Sequence, residues 1–139
     1  MRLGMVTLVV RDYDEAVAFY AGVLGFRLEQ DTDLGGRKRW VVLDAGPVRL
    51  LLAEAAAPEQ AKAIGAQAGG RVGWFLESED FAADHARLVA AGVEFEEEPR
   101  QEAYGTVAVF RDLYGNRWDL LQSRRPRTGA GAGPSEDFS

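Results

Sequence analysis

Phe110-Arg111-Asp112-Leu113-Tyr114-Gly115-Asn116-Arg117-Trp118-Asp119-Leu120-Leu121-Gln122 is the stretch on which the reading of this chain turns. Two apolar runs, 107–110 and 118–121, flank a polar turn that contains Gly115-Asn116. Glycine takes positive φ freely and asparagine tolerates it, so the stretch predicts strand, tight turn, strand. Side chains alternate along a pleated strand, which sends Asp119 to the face opposite Trp118 and Leu120. With those two packed against a helix, one carboxylate projects from the other side of the sheet.

Working outward, the same layout occurs earlier. Residues 5–10 form a β-branched strand with Val6, Leu8 and Val10 on one face and Met5, Thr7 and Val9 on the other. Asp12, with Glu15 three residues on, has the pattern of a capping box and predicts a helix over 13–23, stopped by Gly25. Strands follow at 26–29, 39–43 and 48–53, with a turn over 31–36 and another at Gly46-Pro47. Residues 55–70, rich in Ala, Gln and Gly, are a linker with a short helix over 59–68. Then the pattern returns: strand 72–76, Asp80, helix 81–91, Gly92, strand 93–96 and the hairpin. Asp80 lies 68 positions after Asp12, and Gly92 lies 67 after Gly25. Arg117 and Gln122 fall 68 after Arg49 and Glu54. That register predicts internal duplication. The chain divides into a first βαβββ module (1–54), the linker (55–70), a second module (71–123) and a Gly/Ala/Pro/Ser tail (124–139), expected to be disordered.

The 139 residues carry 16 Lys and Arg against 22 Asp and Glu, a net charge of −6, which argues against a phosphate-backbone binder. The absence of cysteine excludes disulfides, thiolate ligands and a cysteine nucleophile. No apolar run is long enough to span a bilayer, and the N-terminus lacks a signal-type apolar segment. The expectation is a cytoplasmic protein with neither nucleic acid nor membrane as partner.

The phrases Leu8-Val9-Val10-Arg11-Asp12, Ala18-Phe19-Tyr20, Leu24-Gly25-Phe26 and Asp112-Leu113-Tyr114-Gly115-Asn116, set in paired halves, resemble the vicinal oxygen chelate superfamily. This is the fold of glyoxalases, bleomycin-resistance proteins and extradiol dioxygenases. The resemblance implies an α+β fold in which two βαβββ modules form a curled, cup-like mixed sheet with helices on the convex face. It also implies a homodimer and a small-molecule ligand held in the cup. Metal-dependent members place a His or Gln on the first strand of each half, seven residues before the capping Asp, and a Glu on the last strand. Here those positions hold Met5, Gly73, Asp119 and Leu51, or Arg49 on the same face two residues earlier. One carboxylate does not make a transition-metal site, so no cofactor is expected.

By alternation the cup receives Met5, Thr7, Val9, Gly73, Phe75, Glu77, Arg117 and Asp119, and Trp74 and Trp118 face the helices. Tyr104, beside Gly105, stands where the resembling family has an aromatic at the rim. The ligand-binding candidates are therefore Met5, Thr7, Phe75, Glu77, Tyr104, Arg117 and Asp119. His85, the sole histidine, reads as a helix-boundary residue without a catalytic partner. Arg37-Lys38-Arg39 is either a solvated strand end or a contact for an anionic ligand, and 96–98, three glutamates, is a charged edge. These residues support a metal-independent protein that binds a small organic molecule in an aromatic cup. The alternative is a lyase, isomerase or dioxygenase, with a displaced divalent metal or with Asp119 and Tyr104 as an acid–base pair. A third reading is a domain that binds a protein partner and no small molecule.

Overall fold

The computed structural model describes residues 1–124, which form two compact units that meet in the sequence at Gln67/Ala68. The first contains β1 (Met5–Val10), α1 (Tyr13–Val17) continued by a π-helical segment (Ala18–Val23), β2 (Arg27–Gly35), β3 (Lys38–Asp44), β4 (Arg49–Glu54) and α2 (Pro58–Ala63). The second contains β5 (Val72–Glu77), α3 (Phe81–Ala90), β6 (Glu94–Phe95), β7 (Arg100–Glu102), β8 (Gly105–Arg111) and β9 (Arg117–Ser123). The expected α+β class is present, with one mixed sheet per unit. Their strand orders match: β1-β4-β3-β2 in the first, and β5-β9-β8 with β6 and β7 both on β8 in the second. In each, the first strand runs parallel to the last and the remaining pairs are antiparallel.

The duplication extends to single hydrogen bonds. Asp12 caps α1 by accepting from the Glu15 amide at 2.9 Å, and Asp80 caps α3 by accepting from the Ala83 amide at 3.1 Å. A second tie comes from the end of each last strand. The Tyr13 amide donates to Glu54 Oε2 at 3.2 Å, and the Phe81 amide donates to Gln122 Oε1 at 2.7 Å. Glu54 and Gln122 are one of the 68-residue pairs, so that spacing reflects a shared helix-start geometry.

Packing follows the predicted alternation. In the first unit Leu8, Val10, Val41, Leu43 and Leu52 are fully buried, together with Ala16 and Tyr20 from the helical segment. In the second, rings form a ladder from helix to sheet. His85 lies 5.6 Å from Phe81 and 4.4 Å from Phe95; Phe95 lies 5.4 Å from Phe110; and Phe110 and Trp74 stack on Trp118 at 6.0 and 5.4 Å. The histidine is thus a member of an aromatic cluster.

The opening hairpin is built around Asp112, which is 6% exposed. Its Oδ1 accepts from the amides of Tyr114 and Asn116, and its Oδ2 accepts from Asn116 Nδ2 and Trp118 Nε1. Gly115, at φ +91°, lets the chain close this loop. The Asp-x-x-Gly-Asn phrase is therefore a self-contained hydrogen-bonded turn, with Trp118 pinned to it.

Four elements differ from expectation. The segment 31–36 is mostly strand: β2 runs on to Gly35 and only 36–37 turn, with Gly35, Gly36 and Arg37 each at positive φ. Its polar sequence reads as a loop because all nine residues of β2 are exposed, and Asp31 is held to Arg39 across the ladder by bonds of 2.7 and 3.1 Å. The helix over 59–68 ends at Ala63, ahead of Gly65 at φ +76°. The strand expected at 93–96 is only two residues long, and β7, which pairs with β8 beside it, was not foreseen. Across the break between them Glu97 Oε2 accepts from the Val109 amide at 2.9 Å, so a side chain takes the place of strand backbone. Nor are the three glutamates simply a charged edge: Glu96 pairs with Arg117 and Arg111, and Glu97 with Arg100.

The tail expected over 124–139 lies, apart from Arg124, outside the described residues. Arg124 itself is tied down, its amide donating to the Tyr104 carbonyl at 3.0 Å. Among the described residues no helix is long and apolar enough to cross a membrane.

Candidate functional site

Each unit turns one sheet face to its helix, and the opposite face carries the candidates. In the first unit the register sets Met5, Thr7 and Val9 beside Arg49, Leu51 and Ala53 of β4, with Val42 next to Leu51 on β3. Thr7, Trp40, Leu51 and Ala53 line an open groove of about 810 Å³. The β2–β3 turn contributes Arg37 and the start of β3 contributes Lys38 to its wall, and the linker contributes Gln60. The volume lies in the range of drug-sized ligand sites, about 300–1,000 Å³. Met5 does not line this groove; it lies beside Arg49, whose guanidinium donates to Glu29 Oε2 at 3.3 Å.

The linker also closes the free edge of β1. Gln67 Nε2 donates to the Thr7 carbonyl at 2.6 Å, and Gln67 Oε1 accepts from the Val9 amide at 2.9 Å. One amide side chain thereby substitutes for a neighbouring strand.

In the second unit Phe75 lies opposite Asp119, and Asp119 opposite Val109; Glu77 lies opposite Leu121. The sheet thus brings Phe75, Glu77, Arg117 and Asp119 to one face, while Thr7 and Met5 belong to the face of the first unit. Phe75 and Glu77 are exposed, whereas Asp119 is 1% exposed. Its Oδ1 has no hydrogen-bond partner among the described residues. Burial pushes its carboxyl from the ordinary 3.8 up to about 6; Arg100 and Arg117 oppose the rise, and Glu97 and Glu96 add to it. Arg117 is itself committed to Glu96 at 2.9 and 3.0 Å and to the Gly70 carbonyl at 3.1 Å. Tyr104 stands at the β7–β8 turn; burial raises its phenol, and a hydrogen bond with Arg100 opposes that. Arg100 is held in turn by Glu97 and Glu102.

The donors present do not suit the divalent metal of the family's metal-dependent members. Among the described residues no three His, Cys, Asp or Glu side chains converge. At the corresponding positions Met5 and Leu51 are apolar, Arg49 is cationic, and Gly73 has no side chain. Gly73 is required for packing: a Cβ there would lie 2.9 Å from that of Ala68.

Of Arg100 and Glu97, which contribute to the charge around Asp119, the sequence does not single out Arg100 and offers Glu97 only as part of a charged edge. The signal for Arg100 is weak, because the strand carrying it is three residues long and follows Pro99. Leu51 was weighed only as a failed metal ligand, and the structure makes it groove wall.

The model of the Glyoxalase/Bleomycin resistance protein/Dioxygenase superfamily matches residues 2–120, and the chain belongs to that superfamily. It is 52% identical over 121 residues to an uncharacterized protein of Shewanella frigidimarina, covering 84% of this chain and 90% of the relative. It is 32% identical over 129 residues to the uncharacterized protein YurT of Bacillus subtilis, covering 88% and 99%. Among solved structures, UcmS2 superposes with a TM-score of 0.74 at 36% identity, over 87% of this chain and 97% of that one. TnmS3, an antibiotic binding protein from Streptomyces sp. CB03234, gives 0.71 at 28% identity, over 88% and 96%.

Proposed function

We propose that this protein binds a small organic molecule in the groove of its first unit, without a metal ion. The observation that carries this reading is the groove itself: about 810 Å³, lined by Tyr13 and Trp40, aliphatic strand residues and a few polar and charged groups. Similarity to an antibiotic binding protein at 28% identity supports the same class of activity. The donor set supports metal independence, since Asp119 lacks the further ligands that tight divalent binding requires. A homodimer is the assembly we propose, since β2, nine residues long and exposed throughout, is an open edge that gains from being covered.

Native mass spectrometry of protein purified without chelator, with and without a panel of flat aromatic compounds, tests the binding. The expected result is one metal-free, ligand-retaining stoichiometry per chain. Failure of every compound to bind, or a stoichiometric transition metal, would refute the reading.

One observation favours a second, enzymatic reading. A carboxyl that is buried, unpartnered at Oδ1 and half-ionised near pH 6 is suited to proton transfer. With Tyr104 nearby in charge terms, Asp119 would act as the base or acid. A rate that follows a group ionising near pH 6, and is lost in Asp119→Asn, would establish it.

A further inference from the structure

We propose that the ligand of the first-unit groove is an organic anion, its ring system lying on Trp40 and its negative group held by Arg37 and Lys38. This deepens the binding reading above and rests on it.

Three cations follow one another on the hairpin that walls the groove, and the structure separates them. Arg39 is spoken for. It donates to Asp31 at 2.7 and 3.1 Å, lies 3.0 Å from Asp14, and its guanidinium sits 5.0 Å from the centre of the Tyr13 ring. Those carboxylates raise its already high affinity for its proton, so its charge is both permanent and internally matched. Arg37 and Lys38 have no such match: among the described residues no carboxylate lies within ion-pair distance of either. Both line the groove.

Their placement is also built. Arg37 is the sole non-glycine residue at positive φ among the described residues, at +71°, directly after Gly35 and Gly36. The left-handed turn ends β2 and starts β3 at Lys38, and two residues further on β3 brings Trp40 into the same groove. Leu51 and Ala53 add aliphatic wall and Thr7 a hydroxyl; Tyr13 and Glu54 also line the groove, Tyr13 with Arg39 over its ring and Glu54 accepting from the Tyr13 amide at 3.2 Å. A groove with the Trp40 ring, aliphatic sides and two cations that no carboxylate pairs fits a molecule with the complementary division. In a protein whose net charge is −6, a general pull on anions is absent, so the selectivity has to be local.

The probe pair is 8-anilinonaphthalene-1-sulfonate and its uncharged counterpart N-phenyl-1-naphthylamine, which share the same rings and differ by the sulfonate. Both are titrated by fluorescence against wild type, Arg37→Gln/Lys38→Gln, Arg37→Lys and Trp40→Leu, at low and at high salt. We expect the sulfonate to bind at least about fivefold more tightly than the neutral probe, as one partly exposed ion pair allows. The double glutamine variant should abolish that preference without weakening the neutral probe, and Arg37→Lys should keep most of it. High salt should reduce the preference in wild type only. Trp40→Leu should weaken both probes, which places them in the groove. Equal affinity for the two probes in wild type, or a sulfonate preference that survives the double variant, would overturn the anion assignment while leaving small-molecule binding intact. If neither probe binds, both the anion assignment and the binding reading fall.

Discussion

Replacing Asp119 by Asn should make the protein more stable at neutral pH and about 1 kcal/mol less stable in acid. In the folded chain burial raises the Asp119 carboxyl to about 6, against 3.8 in its ordinary state. Because the folded value is the higher one, unfolding makes the group a stronger acid. Wild type therefore loses stability as pH rises from about 4 to about 6, and the loss is complete above that window. The gap of about two pH units corresponds to about 3 kcal/mol at pH 7.5. Asparagine carries no charge to bury but leaves its own polar atoms short of partners, which returns about 1 kcal/mol. The net expectation is about 2 kcal/mol of stabilisation, or a rise of about 6 °C in Tm for a chain of this length. Urea unfolding of both proteins at half-unit intervals from pH 4 to pH 8 gives the difference directly. Asp31, Asp44 and Glu96, which hydrogen bonds from arginines and a backbone amide hold below the ordinary carboxylate range, have the opposite dependence. They are common to both proteins and cancel. A difference independent of pH, or a variant less stable than wild type at pH 7.5, would show that Asp119 is ionised and paired in the fold.

Asp112→Ala should cost about 3 kcal/mol or more, because it strands four hydrogen-bond donors in and beside the buried turn; chemical denaturation measures it. Gly105→Ala should be still more damaging, since a Cβ would be driven into the Gln122 carbonyl, and the soluble yield with its melting curve will report this. Gln122→Ala removes the tie to the start of α3 and should cost about 1 kcal/mol, with Glu54→Ala behaving alike in the first unit. Calorimetric titration with Zn, Ni, Mn and Fe(II) should show no micromolar site, and binding abolished by Asp119→Ala would contradict the metal-free proposal.

Much of the fold was legible because its punctuation is local. Asp12 and Asp80 announce the helices, Gly25 and Gly92 end them, and the 68-residue spacing reveals the duplication. β2 was misread because an exposed strand needs no apolar alternation, and its pairing depends on partners such as Arg39 that lie beyond the turn. β7 was missed because three residues carry no periodicity. For the site, alternation correctly put Phe75, Glu77, Arg117 and Asp119 on one face. It could not distinguish a cation committed to the scaffold, such as Arg117, from Arg37 and Lys38, left uncompensated at the groove, because that depends on which carboxylates the folded chain brings near.

The bond from the last strand of each module to the first residue of its helix also has a consequence for how the chain folds. Tyr13 and Glu54 are 41 residues apart, as are Phe81 and Gln122. A regular α-helical segment as short as Tyr13–Val17 is far below the length at which an isolated helix persists in water. Its start is completed only when β4 arrives, so the helix and the closing strand should form in the same kinetic event. Each half then behaves as a loop that locks at its two ends. Substitutions at Glu54 or Gln122 should accordingly slow folding of their own half rather than only hasten its unfolding.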